Sequence, residues 1–469
     1  MRNVLIIGTG LGGLVTGYLL SQYGDKVTLI EQDAHPGGNL QSFYRDGIRF
    51  DTGFHFLGGL VESNPIFYFF KELNMLNLPW IQLNGHTVQL GSKSYFIPCG
   101  HEEFFKSMVN YFPHEKNGLK HYIETFKAIT SYSINESTPY WEQNAYHFLT
   151  STIKDPELRN VLSGGAIVLE LNRDHLPLFA YAEILNSFMS STCRMAEGGQ
   201  PIIDHLIAGI TKNGGKIYCQ MAAKEIVEHK ATAVGVKLQD GQVIEADTII
   251  SSIHPISTMM LLSEQSAMRK VYIRRICNLR SSKGCFTVNI KLKPGIIPMQ
   301  HSPIYVHQQG ADTWDLDTPN IQHLMIHFYP EQQALDFIAP FAWEKVQAWE
   351  NTTLGARGDD YYAYKEKIVE ECIQLAENAI PNIRKAIDKY WSSSPLTWKS
   401  YLNTYHGSSY GVSKDCNSLE TTLLHTRTPL RGLYLTGQSL RLHGIMGTTI
   451  SAFQTAATLN DEIPIWPMK

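Results

Sequence analysis

Val4-Leu-Ile-Ile-Gly8-Thr-Gly10-Leu-Gly12-Gly13 is the stretch that decides the fold of this 469-residue chain. Four apolar residues run into a Gly8-x-Gly10-x-x-Gly13 turn, and Lys26-Val-Thr-Leu-Ile-Glu31 follows and ends in an acid. Strand, glycine turn, helix start and acid stand in the order of a dinucleotide-binding βαβ unit. Gly8 permits the tight turn, Gly10 lets backbone N–H groups approach a pyrophosphate, and Gly13 lets the helix pack against the strand. The backbone from Thr9 through Leu11 to Gly12 opens that helix, whose N-terminus offers partial positive charge to phosphates. Glu31 is placed to accept hydrogen bonds from a ribose 2′-OH and would repel a 2′-phosphate.

Working outward, Gln32-Asp-Ala-His-Pro36-Gly37-Gly38-Asn39 brings a second glycine pair close behind the acid. It suggests another backbone approach to the same dinucleotide. Gly47-Ile-Arg-Phe50-Asp51-Thr52-Gly53-Phe54-His55-Phe56-Leu57-Gly58-Gly59 alternates like a strand and then turns on glycines, a shape that can run against a planar ring. Phe104, Phe105, Met108, Val109 and Phe112 recur at helical spacing within a region from about 65 to 193. Such a stripe packs on a core or faces an apolar substrate or membrane surface. A helix is expected over 201–212, and strands at 234–238 and 243–247 flank an Asp240-Gly241 hairpin turn. A buried strand follows at 248–253, another at 286–292, and a long helix over 361–379. The tail closes with a strand and turn at 432–438, then a last helix opened by His443-Gly444-Ile-Met-Gly447.

Composition narrows the classes. With 43% hydrophobic residues, the chain is long enough for two or more cores. The net charge of −4 argues against a nucleic-acid footprint. Seven cysteines without a CxxC pair suggest a reducing compartment and no zinc site, so no metal is expected. The first strand starts at Val4 and leaves no room for a signal peptide. No stretch reaches the roughly 18 apolar residues that span a bilayer. The expected location is cytoplasmic. No HExxH, GxSxG or Walker loop competes for the chemistry.

The glycine motif, Gly37-Gly38 and Asp51-Thr52-Gly53 resemble the FAD-binding half of the phytoene desaturase and amine oxidase superfamily. So do Glu197-Gly198-Gly199, Ala246-Asp247 with Ser252-Ile-His254-Pro255, and the segment from Gly437 to Gly447. Within it the chain looks most like the carotenoid desaturase, carotenoid isomerase and retinol saturase branch. Gly53-Phe-His55-Phe-Leu-Gly58-Gly59 resembles the retinol saturase turn, and Gly407-Ser-Ser-Tyr410-Gly411 the family's Gly-Ser-x-Tyr-Gly segment. Asn39 stands where many desaturases carry an arginine, and the proline usual before Gly444 is absent, which points away from a strict phytoene desaturase.

The resemblance implies an α/β fold in which a Rossmann-like FAD-binding domain (1–75, 195–270 and 425–469) is interrupted by an α+β substrate domain (76–194 and 271–424). It implies FAD, with Gly8, Thr9, Gly10, Leu11, Gly12 and Gly13 at the pyrophosphate and Glu31 and Gln32 at the adenosine ribose. Gly37, Gly38, Asn39 and Gly53 would approach the ribityl side, and the strand around Ile226 would pass the adenine. Gly437 and Gln438 would contact phosphate and ribityl oxygens. Gly447 and Thr448, at a helix N-terminus, would face the flavin's pyrimidine edge, where the dipole favours negative charge.

The chemistry implied is hydride transfer through the flavin's N5 to or from an apolar C–C or C=C unit, with one proton moved by the protein. His55, on the turn expected near the flavin, is the first candidate for that proton. His443 and Tyr410 are the others, while His254 is expected to cap the turn at Pro255. Three enzymatic outcomes stay open: saturation or desaturation of a polyene, isomerisation of one, and amine oxidation. Amine oxidases commonly frame the flavin with an aromatic pair near the C-terminal motif, and 439–443 offers only His443. A non-enzymatic FAD-stabilised protein is the fourth. The electron donor or acceptor is open, and a lipid-like substrate implies a peripheral membrane contact.

Overall fold

The computed structural model describes residues 1–131 and 140–465. The expected substrate segment 76–194 and the tail 425–469 therefore each include a few positions outside the described residues. A parallel five-stranded sheet runs in the order Lys216–Tyr218, Lys26–Ile30, Asn3–Ile7, Thr248–Ser251, Leu433–Leu435. Its strands come from the start, middle and end of the chain. Asn3–Ile7 is buried from Val4 onward, as a parallel strand covered on both faces must be. The helix Leu11–Gln22 is buried on all sides through Ser21, which its unbroken apolar run requires. It packs against the last helix, Gly444–Leu459, and against Gln200–Lys212.

The strand order reverses at Asn3–Ile7, with Lys26–Ile30 on one side and Thr248–Ser251 on the other. Ligand crevices in open α/β sheets lie at such a switch point, beyond the carboxyl ends of the strands. The loops after Ile7, Ile30, Ser251 and Leu435 all open there. The fold is the Rossmann-like α/β class expected.

A second sheet of seven strands carries the rest. Its order is Ile387–Ser393, Gly284–Leu292, Ala334–Phe341, His323–Tyr329, Ile304–His307, Gly85–Leu90, Lys93–Pro98. All pairs are antiparallel except Ile304–His307 with Gly85–Leu90. Helices His101–Tyr111, Lys116–Thr130, Ala145–Thr152 and Leu178–Ser190 share one apolar core, in which Phe104, Met108 and Phe126 are buried. The aromatic stripe of the sequence is in part this core; Phe105 and Val109 pack against it half-buried.

Element boundaries differ modestly from expectation. The long helix begins at Asp359 and ends at Ala376, because Gly358 with φ +93 supplies the break and two acids fill its first turn. The hairpin forms between Thr232–Leu238 and Val243–Glu245, with Gly241 at φ +92. A three-stranded sheet of Leu57–Gly58, Thr192–Met195 and Trp80–Leu83 ties the His55 turn to the second layer.

Candidate functional site

The glycine turn is tight enough to forbid most side chains. A Cβ on Gly13 would sit 2.1 Å from the Gly8 carbonyl oxygen, and one on Gly12 would sit 2.7 Å from the Cα of Gly437. These are backbone contacts that nothing can relieve. Gly10 differs: its φ of −59 suits any residue, and a Cβ there would meet no protein atom within 4 Å. It would project into open cleft. That cleft is about 500 Å³, within the usual range for a ligand site. Gly8, Gly10, Leu11 and Gly12 wall it from the first turn, Glu31 and Gln32 from the second strand's end, and Gly437, Gln438 and Thr448 from the tail.

Glu31 is 9% exposed and faces the cleft with its oxygens already in use. Oε2 accepts from Thr9 N at 3.0 Å and from Thr9 Oγ1 at 2.6 Å, and Oε1 accepts from Asp33 N at 3.0 Å. A carboxylate has roughly four lone-pair positions, so about one remains for a hydroxyl. His254 Nδ1 accepts from Ile256 N at 3.3 Å and caps the Pro255–Met260 helix as expected, while its ring also lines the cleft.

At one end the cleft joins a second cavity of about 160 Å³, through Asn39, Gly53, Phe56, Tyr410, Gly444 and Ile445, which line both. Beyond Phe56 and Phe188 lies a smaller chamber of about 40 Å³, walled by Ile97, Phe104, Tyr122 and Leu162. Leu57, Ile184, Met325, Ile338 and Met446 make the second cavity apolar, and no Asp, Glu, Lys or Arg lines it.

His55, His443 and Tyr410 line this cavity, with the uncharged polar side chains of Asn39, Thr52, Ser187, Thr287 and Ser409. Burial, helped by the Arg194 guanidinium, lowers the His55 imidazole to about 3, and its Nδ1 is buried with no hydrogen-bond partner. Tyr410 donates its hydroxyl to the Ile167 carbonyl at 3.3 Å, and burial raises that phenol well above its ordinary range. Its ring lies 4.4 Å from that of His443, tilted by 38°. A substrate between two rings needs about 7 Å, twice an ordinary contact distance. The pair is closed on itself and frames nothing.

A model of the flavin containing amine oxidoreductases matches residues 11–460. The chain belongs to that family. It is an FAD-dependent oxidoreductase of the mixed α/β kind. The chain is 23% identical to an all-trans-retinol 13,14-reductase of Rattus norvegicus, over 97% of this chain and 85% of that one. It is 24% identical to a chloroplastic prolycopene isomerase of Daucus carota, over 93% of this chain and 76% of that one. An oxidoreductase from Methanosarcina mazei shares the fold, with a TM-score of 0.67 at 19% identity, over 96% and 98% of the two chains.

The flavin enzyme's cleft fits its cofactor at several points. Seven glycines line it, a helix N-terminus opens onto it, and the Gly10 position admits a group where a Cβ would intrude. Five residues expected at the cofactor stand behind the wall instead. Thr9 is fully buried; its hydroxyl donates to Glu31 and accepts from Gly37 N at 3.3 Å, so it joins two loops. Gly13 serves the strand–helix contact. Gly37, at φ +124, lies against Gly10 and turns its Cβ direction into Ile203 at 2.3 Å. Gly447 lets the last helix approach the Leu442 backbone, which a Cβ would meet at 2.4 Å. Ile226 is 1% exposed in a core with Ala233 and Val236, because a register irregularity between Ala223 and Glu225 turns it inward. Met221, Ala223 and Lys224 line the cleft there.

Sequence reasoning also missed His327, Asp336 and Arg194, all buried behind His55. Asp51, His55 and His327 each offer an atom of metal-ligating type within 4.8 Å of the others. Arg49 Nε lies 3.8 Å from Asp51 Oδ1, and Arg194 also acts on that carboxyl. These guanidiniums already supply its countercharge, so a dication would face two like charges.

Proposed function

We propose that this enzyme moves a hydride between FAD and a C–C or C=C bond of an apolar polyene, retinoid or carotenoid-like, as a saturase or desaturase. The observation that carries the reading is the cavity joined to the dinucleotide cleft: apolar, and lined by no charged side chain. An amine substrate arrives as an ammonium, and burying one without a carboxylate costs many kcal/mol. A polyene asks for no countercharge. The names of the similar retinol reductase and prolycopene isomerase support the same substrate class.

FAD supplies two-electron hydride chemistry when bound. Gly8, Gly10, Leu11 and Gly12 hold its pyrophosphate, Glu31 and Gln32 its adenosine ribose, and Gly38, Asn39, Gly53, Gly437, Gln438 and Thr448 the remainder toward the cavity. Leu57, Ile184 and Met446 hold the chain of double bonds and exclude water. His55 handles the proton, with Tyr410 and His443 shaping the wall. The cofactor domain comprises 1–75, 195–270 and 425–469, and the substrate domain 76–194 and 271–424.

No helix among the described residues is long and apolar enough to cross a membrane. Phe96 and Tyr111, 42% and 40% exposed, stand on the strand and helix that help wall the inner chamber. They make a peripheral contact through which a lipid-like substrate enters from a bilayer, and flotation with liposomes tests it.

Anaerobic stopped-flow mixing tests the function. Reduced holoenzyme should be reoxidised by a retinoid or carotenoid with loss of polyene absorbance. Isomerisation would change the polyene spectrum and leave the flavin reduced. An amine that bleaches the oxidised flavin would overturn the reading.

A further inference from the structure

The seven-stranded sheet turns one face to the apolar cavity. Register pairs Thr287 with Ile338, and Ile338 with Met325, and all three line that cavity. Two residues along each strand, on the same face, comes a second row. It is Asn289, Asp336 and His327, again paired in register. A row of one threonine and two apolar residues touches the substrate space, and a row polar throughout lies directly beside it. The polar row is 3%, 1% and 0% exposed.

Asp336 is held from two sides. Asn289 Nδ2 donates to its Oδ1 at 2.6 Å, and the Tyr329 hydroxyl donates to its Oδ2. His327 Nδ1 lies 4.0 Å from the same Oδ2, and neither nitrogen of that ring has a hydrogen-bond partner. On its other side His327 meets His55, ring to ring at 4.8 Å. An unpartnered buried polar group costs about 1–3 kcal/mol, so two on one ring in an apolar sheet call for a purpose.

We propose that Asp336, His327 and His55 form a proton path from a buried store to the double bond in the cavity. The proposal rests on the polyene reading above. Saturation adds a hydride to one carbon and a proton to the other. The hydride brings both electrons, which an external two-electron donor returns to the flavin. The proton leaves a His55 N–H in a concerted shift: His327 replaces it on the other nitrogen of His55, and Asp336 replaces that of His327. Asp336 ends as a carboxylate, accepting from Tyr329 and Asn289. Desaturation runs the same shift backward.

A shift of His327 Nδ1 by about 1 Å would bring the 4.0 Å gap to hydrogen-bond distance. The charges around the path suit it. Burial raises Asp336 to about 8 and lowers both imidazoles, His55 to about 3 and His327 well below its ordinary value. Near neutral pH the carboxyl holds the proton and the rings stay neutral. The other groups facing the path are Arg49 and Asp51 on Ile48–Asp51, Arg194 on Thr192–Met195, and Tyr329. Burial raises Asp51 to about 6, with both guanidiniums opposing. Glu331 acts on Arg194 from farther out. His327 and Asp336 touch neither substrate nor cofactor and are relay residues behind His55.

The test uses holoenzyme and the variants Asp336→Asn and His327→Gln, with ¹³C-labelled aspartate for infrared spectroscopy. Wild type should show a protonated carboxyl band near neutral pH that fades above about pH 8 and is missing in Asp336→Asn. Reoxidation of the reduced holoenzyme by all-trans-retinol should slow roughly 10²-fold in both variants, the low end of general acid–base effects. Its solvent deuterium effect should change, while FAD content, melting temperature and reduction by dithionite stay as in wild type. Wild-type reoxidation rates and pH profiles in both variants would overturn the path, as would an ionised Asp336 near neutral pH. Failure of wild type itself to react with the polyene would instead sink the substrate reading, and the infrared band would still decide whether Asp336 stores a proton.

Discussion

The 500 Å³ cleft and the 160 Å³ cavity meet at Gly53 and Gly444 but are built from different materials. The cleft's wall is in large part backbone: glycines at 8, 10, 12, 38 and 437, with Glu31 as its one strongly tied acid. The cavity's wall is side chains delivered by strands and helices far apart in the chain, such as Met325, Ile338, Ile184 and Met446. A backbone site binds what any phosphate-bearing dinucleotide offers, so it can be shared across a family. A side-chain site is where one member differs from the next. The contrast sets a backbone-walled cleft suited to a shared cofactor beside a side-chain-walled cavity suited to a particular substrate.

The strongest blow to the cleft is expected at Gly13. Gly13→Ala forces a Cβ onto the Gly8 carbonyl at 2.1 Å. It should cost about 3 kcal/mol, the upper end of overpacking, with stability and bound flavin lost together in urea titrations. The matching blow to the cavity is His55→Phe, which keeps a ring but no titratable nitrogen. Flavin content should hold while polyene turnover falls about 10²-fold. Gly10→Val then separates cofactor from fold. The apoprotein's melting temperature should be unchanged, and FAD affinity should drop roughly 30-fold, about 2 kcal/mol, in fluorescence titrations.

The buried histidines set an acid limit on stability. In the folded state His55 and His307 titrate at about 3 and His86 and His254 at about 4, against an ordinary 6.5. Between those values the unfolded chain binds protons that the native state does not, so stability rises with pH and is lost as pH falls below 6.5. Asp51 and Asp336, raised to about 6 and about 8, act oppositely over that window. Four histidines outweigh two carboxylates. Urea unfolding near pH 5 should show the loss, and His307→Gln should flatten the slope by up to about 1.4 kcal/mol per pH unit. Smallest of all, Ile226→Val should cost about 1 kcal/mol of stability and leave FAD affinity alone. A change in affinity would return Ile226 to the cofactor.

The same contrast explains what was legible in the chain. Gly12 and Gly13 announce themselves because only glycine fits those contacts, and Gly8 because its φ of +92 favours glycine, so a short motif carries the whole geometry. His55 was legible because it sits inside a glycine turn. The inward turn of the Ile226 side chain was not legible, because strand alternation there depends on a register irregularity at 223–225 that residue types do not reveal. His327 and Asp336 were invisible for a related reason. Each is one polar residue in an otherwise apolar strand, and only the pairing of His323–Tyr329 with Ala334–Phe341 sets them side by side. Thr9 and Gly37 belong to motifs whose members divide between lining the cleft and bracing the residues that do.

The central claim is that the cavity at the cleft's end takes a polyene. Mass spectrometry of a single anaerobic turnover tests it most directly. Reduced holoenzyme mixed with a stoichiometric retinoid should yield product with two added hydrogens for each flavin oxidised. A polyene recovered unchanged beside fully reduced flavin, with an amine consumed by the oxidised enzyme, would contradict the account.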